Sequence, residues 1–253
     1  MVSTTPLVRR LFAELLGSAF LAVVVIGSGI AAQQLSPSDV GLQLLEASAA
    51  TAVGLFAIIL MFGPVSGGHF NPVVSLVDAN FGGLSRRHVL AYVPAQVVGC
   101  SLGAIVANGM FALQAVSIST HHRASPAHLL GEVIATFGLV LVIFALARSH
   151  RLAMAPAAVG AYIGGAYWFT SSTSFANPAI TVGRMLSNTF TGIAPASVPG
   201  FVVAQLVGGV LAIAVLRILY PDVTPAEAAE VVVPHSDGGS GAGTRWSQVD
   251  EPV

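Results

Sequence analysis

Asparagine followed by proline occurs twice in matching apolar settings, in Gly68-His69-Phe70-Asn71-Pro72-Val73 and in Ser174-Phe175-Ala176-Asn177-Pro178-Ala179, 106 positions apart. Asn caps a helix through its side-chain oxygen and Pro is tolerated in the first helical turn, so each pair marks a helix start. A single pair is an ordinary turn signal. Repeated after two membrane-length apolar helices, the pairs can aim two helix N-termini, each carrying an amide donor, at one place.

The elements that position them follow from composition. The chain is 55% hydrophobic and only 8% charged, whereas soluble proteins carry about 25% charged residues. Apolar stretches near the length of about 20 residues that spans a bilayer predict six spans: Arg10 to Ala32, Gly41 to Phe62, His88 to Val116, Pro126 to Arg148, Leu152 to Ser171 and Val198 to Tyr220. The two Asn-Pro segments lie in intervals too short to span. An apolar run longer than a signal-peptide core, and containing Glu14, argues for a retained first span.

A net charge of -1 excludes a basic surface for nucleic acid. The single cysteine, Cys100, permits no intrachain disulfide and reads as a small packing residue. No nucleophile or metal spacing supports an enzyme; His121, His122 and His128 read as solvated loop residues. With a cytoplasmic N-terminus, Arg9, Arg10, Arg86, Arg87, Arg148, Arg151, Arg217 and Arg245 lie inside and only Arg123 and Arg184 outside, as the positive-inside rule requires. The expected organisation is a cytoplasmic N-terminus over 1–9, a membrane domain over 10–220 and a polar, Gly-rich, disordered cytoplasmic tail over 221–253.

The two halves answer each other, the first running over about 10–116 and the second over about 126–220. Glu14 opens the first span as Glu132 opens the fourth, and Gln96 in the third matches Gln205 in the sixth. Three spans per half force the copies into opposite orientations, an inverted repeat whose site lies near the midplane. The loops at 63–70 and 172–176 then enter from opposite sides, each followed by a helix of roughly ten residues, and irregular backbone at that depth must line a wet cavity or be buried in protein. Glu14 and Glu132 read as acceptors for loop amides or as proton or cation sites, and Gln96 and Gln205 as scaffold. Small residues four apart, Gly99/Gly103, Gly160/Gly164 and Ala204/Gly208, predict close helix contacts.

Taken together, the Asn-Pro boxes, six spans and paired Glu and Gln over residues 10–220 resemble the major intrinsic protein family, the aquaporins and aquaglyceroporins. The resemblance implies an all-α, six-span bundle with two re-entrant half-helices, acting as a cofactor-free homotetramer in the inner membrane. Each subunit would pass water or small neutral solutes passively, with both termini cytoplasmic. Asn71 and Asn177 would donate to the solute beside Pro72, Pro178 and Ala179, and carbonyls of Gly67, Gly68, His69, Ser174, Phe175 and Ala176 would accept. The paired donors and positive helix ends favour neutral hydrogen-bonding solutes over cations. His69 is either structural or pore-facing.

Two departures stand out. Val73 replaces the usual alanine, altering packing or width. Ile180 stands where the family's filter arginine is expected, and family spacing puts the rest of that ring on Thr51, Gly165 and Ser174. Such a ring is wide and uncharged, which points to a broad solute pore. The pattern resembles a bacterial subgroup linked to arsenic-resistance operons, leaving arsenite or methylated arsenicals, glycerol or another small polar solute, and water alone as candidates. Arg184 is expected roughly 10 Å outward of Asn177 by helix rise, as a mouth charge or a snorkelling residue. A proton-coupled secondary transporter is the rival class, since it too uses inverted repeats and broken helices.

Overall fold

The computed structural model describes residues 5–149 and 151–221. The expected tail, Arg245 included, lies outside these residues except for Pro221. Among the described residues the chain forms eight α-helices: α1 Leu7–Leu35, α2 Val40–Ser66, α3 Pro72–Phe81, α4 Arg86–Met110, α5 Pro126–Arg148, α6 Ala155–Phe169, α7 Pro178–Arg184 and α8 Val198–Leu219. Single 3-10 turns, Leu152–Met154 and Pro195–Ser197, lead into α6 and α8. With those turns, six helices are long and apolar enough to cross a membrane, and α3 and α7 are the short ones. Asp39, Ser85 and Ser125 cap α2, α4 and α5 by accepting from the amides of Leu42, His88 and His128.

Several boundaries differ from the expected ones. Helix α2 continues through Gly63 and Pro64 to Ser66, because an internal proline removes only one ladder bond while the tertiary packing holds the helix. It ends at Gly67, whose φ of 92° is left-handed and whose amide bonds to the Gly63 carbonyl at 2.8 Å. The re-entrant loop therefore begins at Gly67. Helix α4 stops at Met110 rather than Val116: Asn108 and Gly109 are weak helix formers, and Ala112 turns left-handed with φ 55°. Helix α1 starts at Leu7, within the segment assigned to the N-terminal arm. The second half-helix, α7, has seven residues instead of about ten.

Helix α1 packs on α4 and α2, α5 packs on α8 and α6, and α2 packs on α6, so the halves repeat one arrangement. The close pairs turn on glycine. A Cβ on Gly208 of α8 would sit 2.5 Å from the Val133 carbonyl oxygen of α5, and one on Gly99 of α4 would collide with the Leu15 carbonyl of α1. Gly208→Leu is expected to cost about 3 kcal/mol or more by forcing these helices apart. A detergent-solubilised variant with an unchanged melting temperature would refute this.

Candidate functional site

Each half-helix starts with its asparagine oxygen turned onto its own amides: Asn71 Oδ1 accepts from Val73 N at 2.9 Å, and Asn177 Oδ1 from Ala179 N at 2.9 Å and Ile180 N at 3.3 Å. Each amide nitrogen crosses to the other half. Asn71 Nδ2 donates to the Ala176 carbonyl at 2.8 Å and Asn177 Nδ2 to the Phe70 carbonyl at 2.7 Å. A primary amide has two N–H groups, so one on each asparagine remains for another acceptor. Both side chains line a common cavity. The half-helices run apart from this junction. Helix α3 leads to the start of α4, whereas the segment after α7 bonds to residues 117 and 119 beyond the end of α4.

Two equivalent clusters hold the loops. Glu14, fully buried, accepts from the amides of His69 at 3.0 Å and Phe70 at 2.8 Å, from Ser66 Oγ at 2.7 Å and from Gln96 Nε2 at 2.7 Å. Glu132 accepts from the amides of Phe175 at 2.8 Å and Ala176 at 2.9 Å and from Gln205 Nε2 at 2.6 Å. Gln96 and Gln205 also donate to Ser75 and Thr181, which in turn donate to the carbonyls of Asn71 and Asn177. This framework fixes backbone that sterics disfavour: Phe70, Thr173, Ser174 and Ala176 all have φ between 48° and 62°. Each such non-glycine residue costs about 1–2 kcal/mol.

Between the clusters the wall is aliphatic and follows the repeat. An offset of 118 relates Glu14 to Glu132, Leu21 to Leu139 and Val25 to Ile143, and an offset of 104 relates Leu55 to Val159 and Ile59 to Ile163. All eight of these apolar side chains line the cavity.

The polar part of the wall differs from the expected ring. Thr51, Ser174 and Ile180 line it as expected, but Gly165 lies on the exposed face of α6 with open space where a Cβ would be. Tyr167 stands in the wall instead, its hydroxyl 3.2 Å from Thr51 Oγ1. Helical phase explains the shift: Val159, Ile163 and Tyr167 share one face, while Gly160 and Gly164 turn to α2. Nor is the wall uncharged. Arg184 is only 2% exposed and lines the same cavity, so it does not snorkel. Its Nε donates to the Thr191 carbonyl, and its guanidinium carbon lies 3.3 Å from the centroid of the Phe175 ring.

Other expected positions sort by geometry. Gly68, His69 and Phe70 border the cavity, but Gly67 and Ala176 do not. The His69 side chain is wholly buried, with Nδ1 3.0 Å from Ser75 Oγ and Nε2 3.5 Å from Asp78, so only its main chain reaches the cavity. Val73 points away, against Gly209 of α8, where its Cγ1 would meet an added Cβ at 2.6 Å. Its extra methyls therefore alter helix packing and not the bore. In the connection between α4 and α5, His121 is pushed below the usual imidazole range by burial and by the Arg123 guanidinium.

Two re-entrant half-helices joined amide to carbonyl across an inverted repeat, over an aliphatic cavity inside a bundle of spanning helices, define a membrane channel. The match to the family model described as "Major intrinsic protein", over residues 1–174 and 168–244, shows that the chain belongs to the major intrinsic protein family, whose members are membrane channels and not enzymes. It is 48% identical over 219 residues to aquaglyceroporin AqpS of Rhizobium meliloti (strain 1021), covering 87% of this chain and 93% of that relative. It is 32% identical to aquaporin NIP1-1 of Zea mays, over 83% of this chain and 74% of that one. The X-ray structure of the aquaglyceroporin from Plasmodium falciparum shares the fold, with a TM-score of 0.68 at 19% identity over 85% of this chain and 98% of that chain.

Proposed function

We propose that the cavity is a wide permeation path for small neutral hydrogen-bonding solutes, glycerol and arsenous acid as well as water. The observation that carries this is Ile180 on the cavity wall at the position where a filter arginine would narrow the path. The relative from Rhizobium meliloti, named an aquaglyceroporin, supports a polyol-sized solute. Arsenous acid is compact and polyhydroxylic, and presents donors and acceptors much as glycerol does. In this reading the free amide hydrogens of Asn71 and Asn177 donate to the solute at the midplane. The carbonyls of Gly68 and His69 accept, and the Thr51, Tyr167 and Ser174 hydroxyls exchange hydrogen bonds with it at the constriction. Glu14 and Glu132 spend their oxygens on loop amides, which supports scaffolding over proton relay and a passive channel over a coupled transporter.

The protein sits in the plasma membrane with both termini cytoplasmic, an orientation supported by Arg86, Arg87, Arg148, Arg151 and Arg217 at one end. A homotetramer fits the exposed small residues Ala157, Ala161 and Gly165 on α6, which permit close approach of a neighbouring helix. Stopped-flow measurements on proteoliposomes test the solute range: water, glycerol and arsenous acid are all expected to permeate, with rates indifferent to a proton gradient. Water flux without either solute would defeat the wide-pore reading.

A further inference from the structure

The outer end of the cavity holds two guanidinium groups around one aromatic ring. Arg184 stacks at 3.3 Å from the Phe175 centroid and Arg123 lies 5.5 Å from it. Three successive carbonyls brace the pair. Thr191 accepts from Arg184 Nε, while Gly192 and Phe190 accept from Arg123 Nε at 2.8 Å and Nη2 at 2.9 Å. Among the described residues neither arginine has a carboxylate within 4.0 Å. Only Nε of the Arg184 side chain is hydrogen-bonded among them, so both of its terminal nitrogens are unspent. In the wall of the same cavity, Ser174 is 3% exposed and its Oγ has no hydrogen-bond partner.

Burying a guanidinium with no carboxylate in direct contact is costly; Glu132 acts on both arginines only at a distance, and carbonyl dipoles supply only part of what a contacting anion would. The fork of Arg184 matches two oxygens of one anion, and the Ser174 hydroxyl adds a donor in the same wall. We propose that this end of the cavity is a binding site for a compact oxyanion, of the carboxylate or phosphate kind, held by Arg184 and Ser174 in the field of Arg123. The consequence for transport rests on the channel reading: an anion seated there blocks the path of neutral solutes. Anion binding itself does not rest on it.

Equilibrium dialysis of the purified full chain in a chloride-poor detergent buffer, with radiolabelled acetate in one arm and inorganic phosphate in the other, tests the site. Saturable binding of about one anion per chain is expected, whichever source prevails, with competition between the two. Arg184→Gln is expected to weaken it at least tenfold, and Arg184→Lys, which keeps charge but loses the fork, by less. Ser174→Ala and Arg123→Gln, each expected to weaken binding about threefold, keep the test open should Arg184→Gln fail to fold. Absence of saturable binding in both arms, or equal binding by wild type and all four variants, overturns the proposal. Glycerol flux into proteoliposomes, slowed by external phosphate in the wild type, separates the two readings. Flux without anion binding sinks only the oxyanion site, and binding without flux sinks only the channel reading.

Discussion

Replacing Glu132 by alanine is expected to lower the melting temperature of the detergent-solubilised protein by about 10 °C, the shift that roughly 4 kcal/mol produces in a chain of this size. The substitution leaves the buried amides of Phe175 and Ala176 and the Gln205 side chain without an acceptor they now share. Each buried orphan donor costs about 1–3 kcal/mol. It also releases the left-handed residues Ser174 and Ala176, with φ of 50° and 49°, from the contacts that hold them. Glu132→Gln keeps one acceptor oxygen and is expected to lose about half as much. Glu14→Ala should behave alike, because its bonds to His69 and Phe70 repeat the pattern. A melting temperature within about 2 °C of wild type for the alanine variant would show that the loop is held by other contacts.

Ile180→Arg is expected to reduce glycerol flux at least tenfold, equivalent to about 1.4 kcal/mol of added barrier, while reducing water flux less. The new guanidinium would project from the first turn of α7 into the cavity wall shared with Thr51, Tyr167 and Ser174, and four residues from Arg184. It would narrow the path and repel its like-charged neighbour, pushing itself toward the bore. Ile180→Leu, similar in volume and uncharged, serves as the control and is expected to leave both fluxes within about twofold, since it adds neither bulk nor charge to the wall. Proportional losses of glycerol and water flux in Ile180→Arg would indicate a general obstruction and remove Ile180 as the determinant of width.

The bundle was legible in the sequence because its determinants are periodic and repeated. Apolar length marked the six spans, and the recurrence of Glu, Asn-Pro and Gln in one order disclosed the inverted halves. Local punctuation is a weaker guide. Gly63-Pro64 looked like the end of α2, yet the stop is Gly67, whose left-handed backbone only the folded chain displays. The family spacing that points to Gly165 runs back from Asn177 through a loop, and a loop's length is not constrained as a helix's is. Counting along α6 itself from Val159 in fours would have reached Ile163 and Tyr167. The burial of Arg184 is hidden for another reason. Its stacking partner Phe175 and its acceptor Thr191 come from segments on either side of α7, and such a meeting leaves no local pattern.

The reciprocal bonds from Asn71 to Ala176 and from Asn177 to Phe70 also bear on synthesis. The first half emerges from the ribosome long before its partner carbonyl at Ala176 exists. Until the second half is translated, the tip of the first re-entrant loop carries an unmatched side-chain amide at Asn71 and an unmatched carbonyl at Phe70. Assembly of the two halves is in this sense a single late event, and a nascent chain halted between them presents cellular quality control with a polar wound at membrane depth.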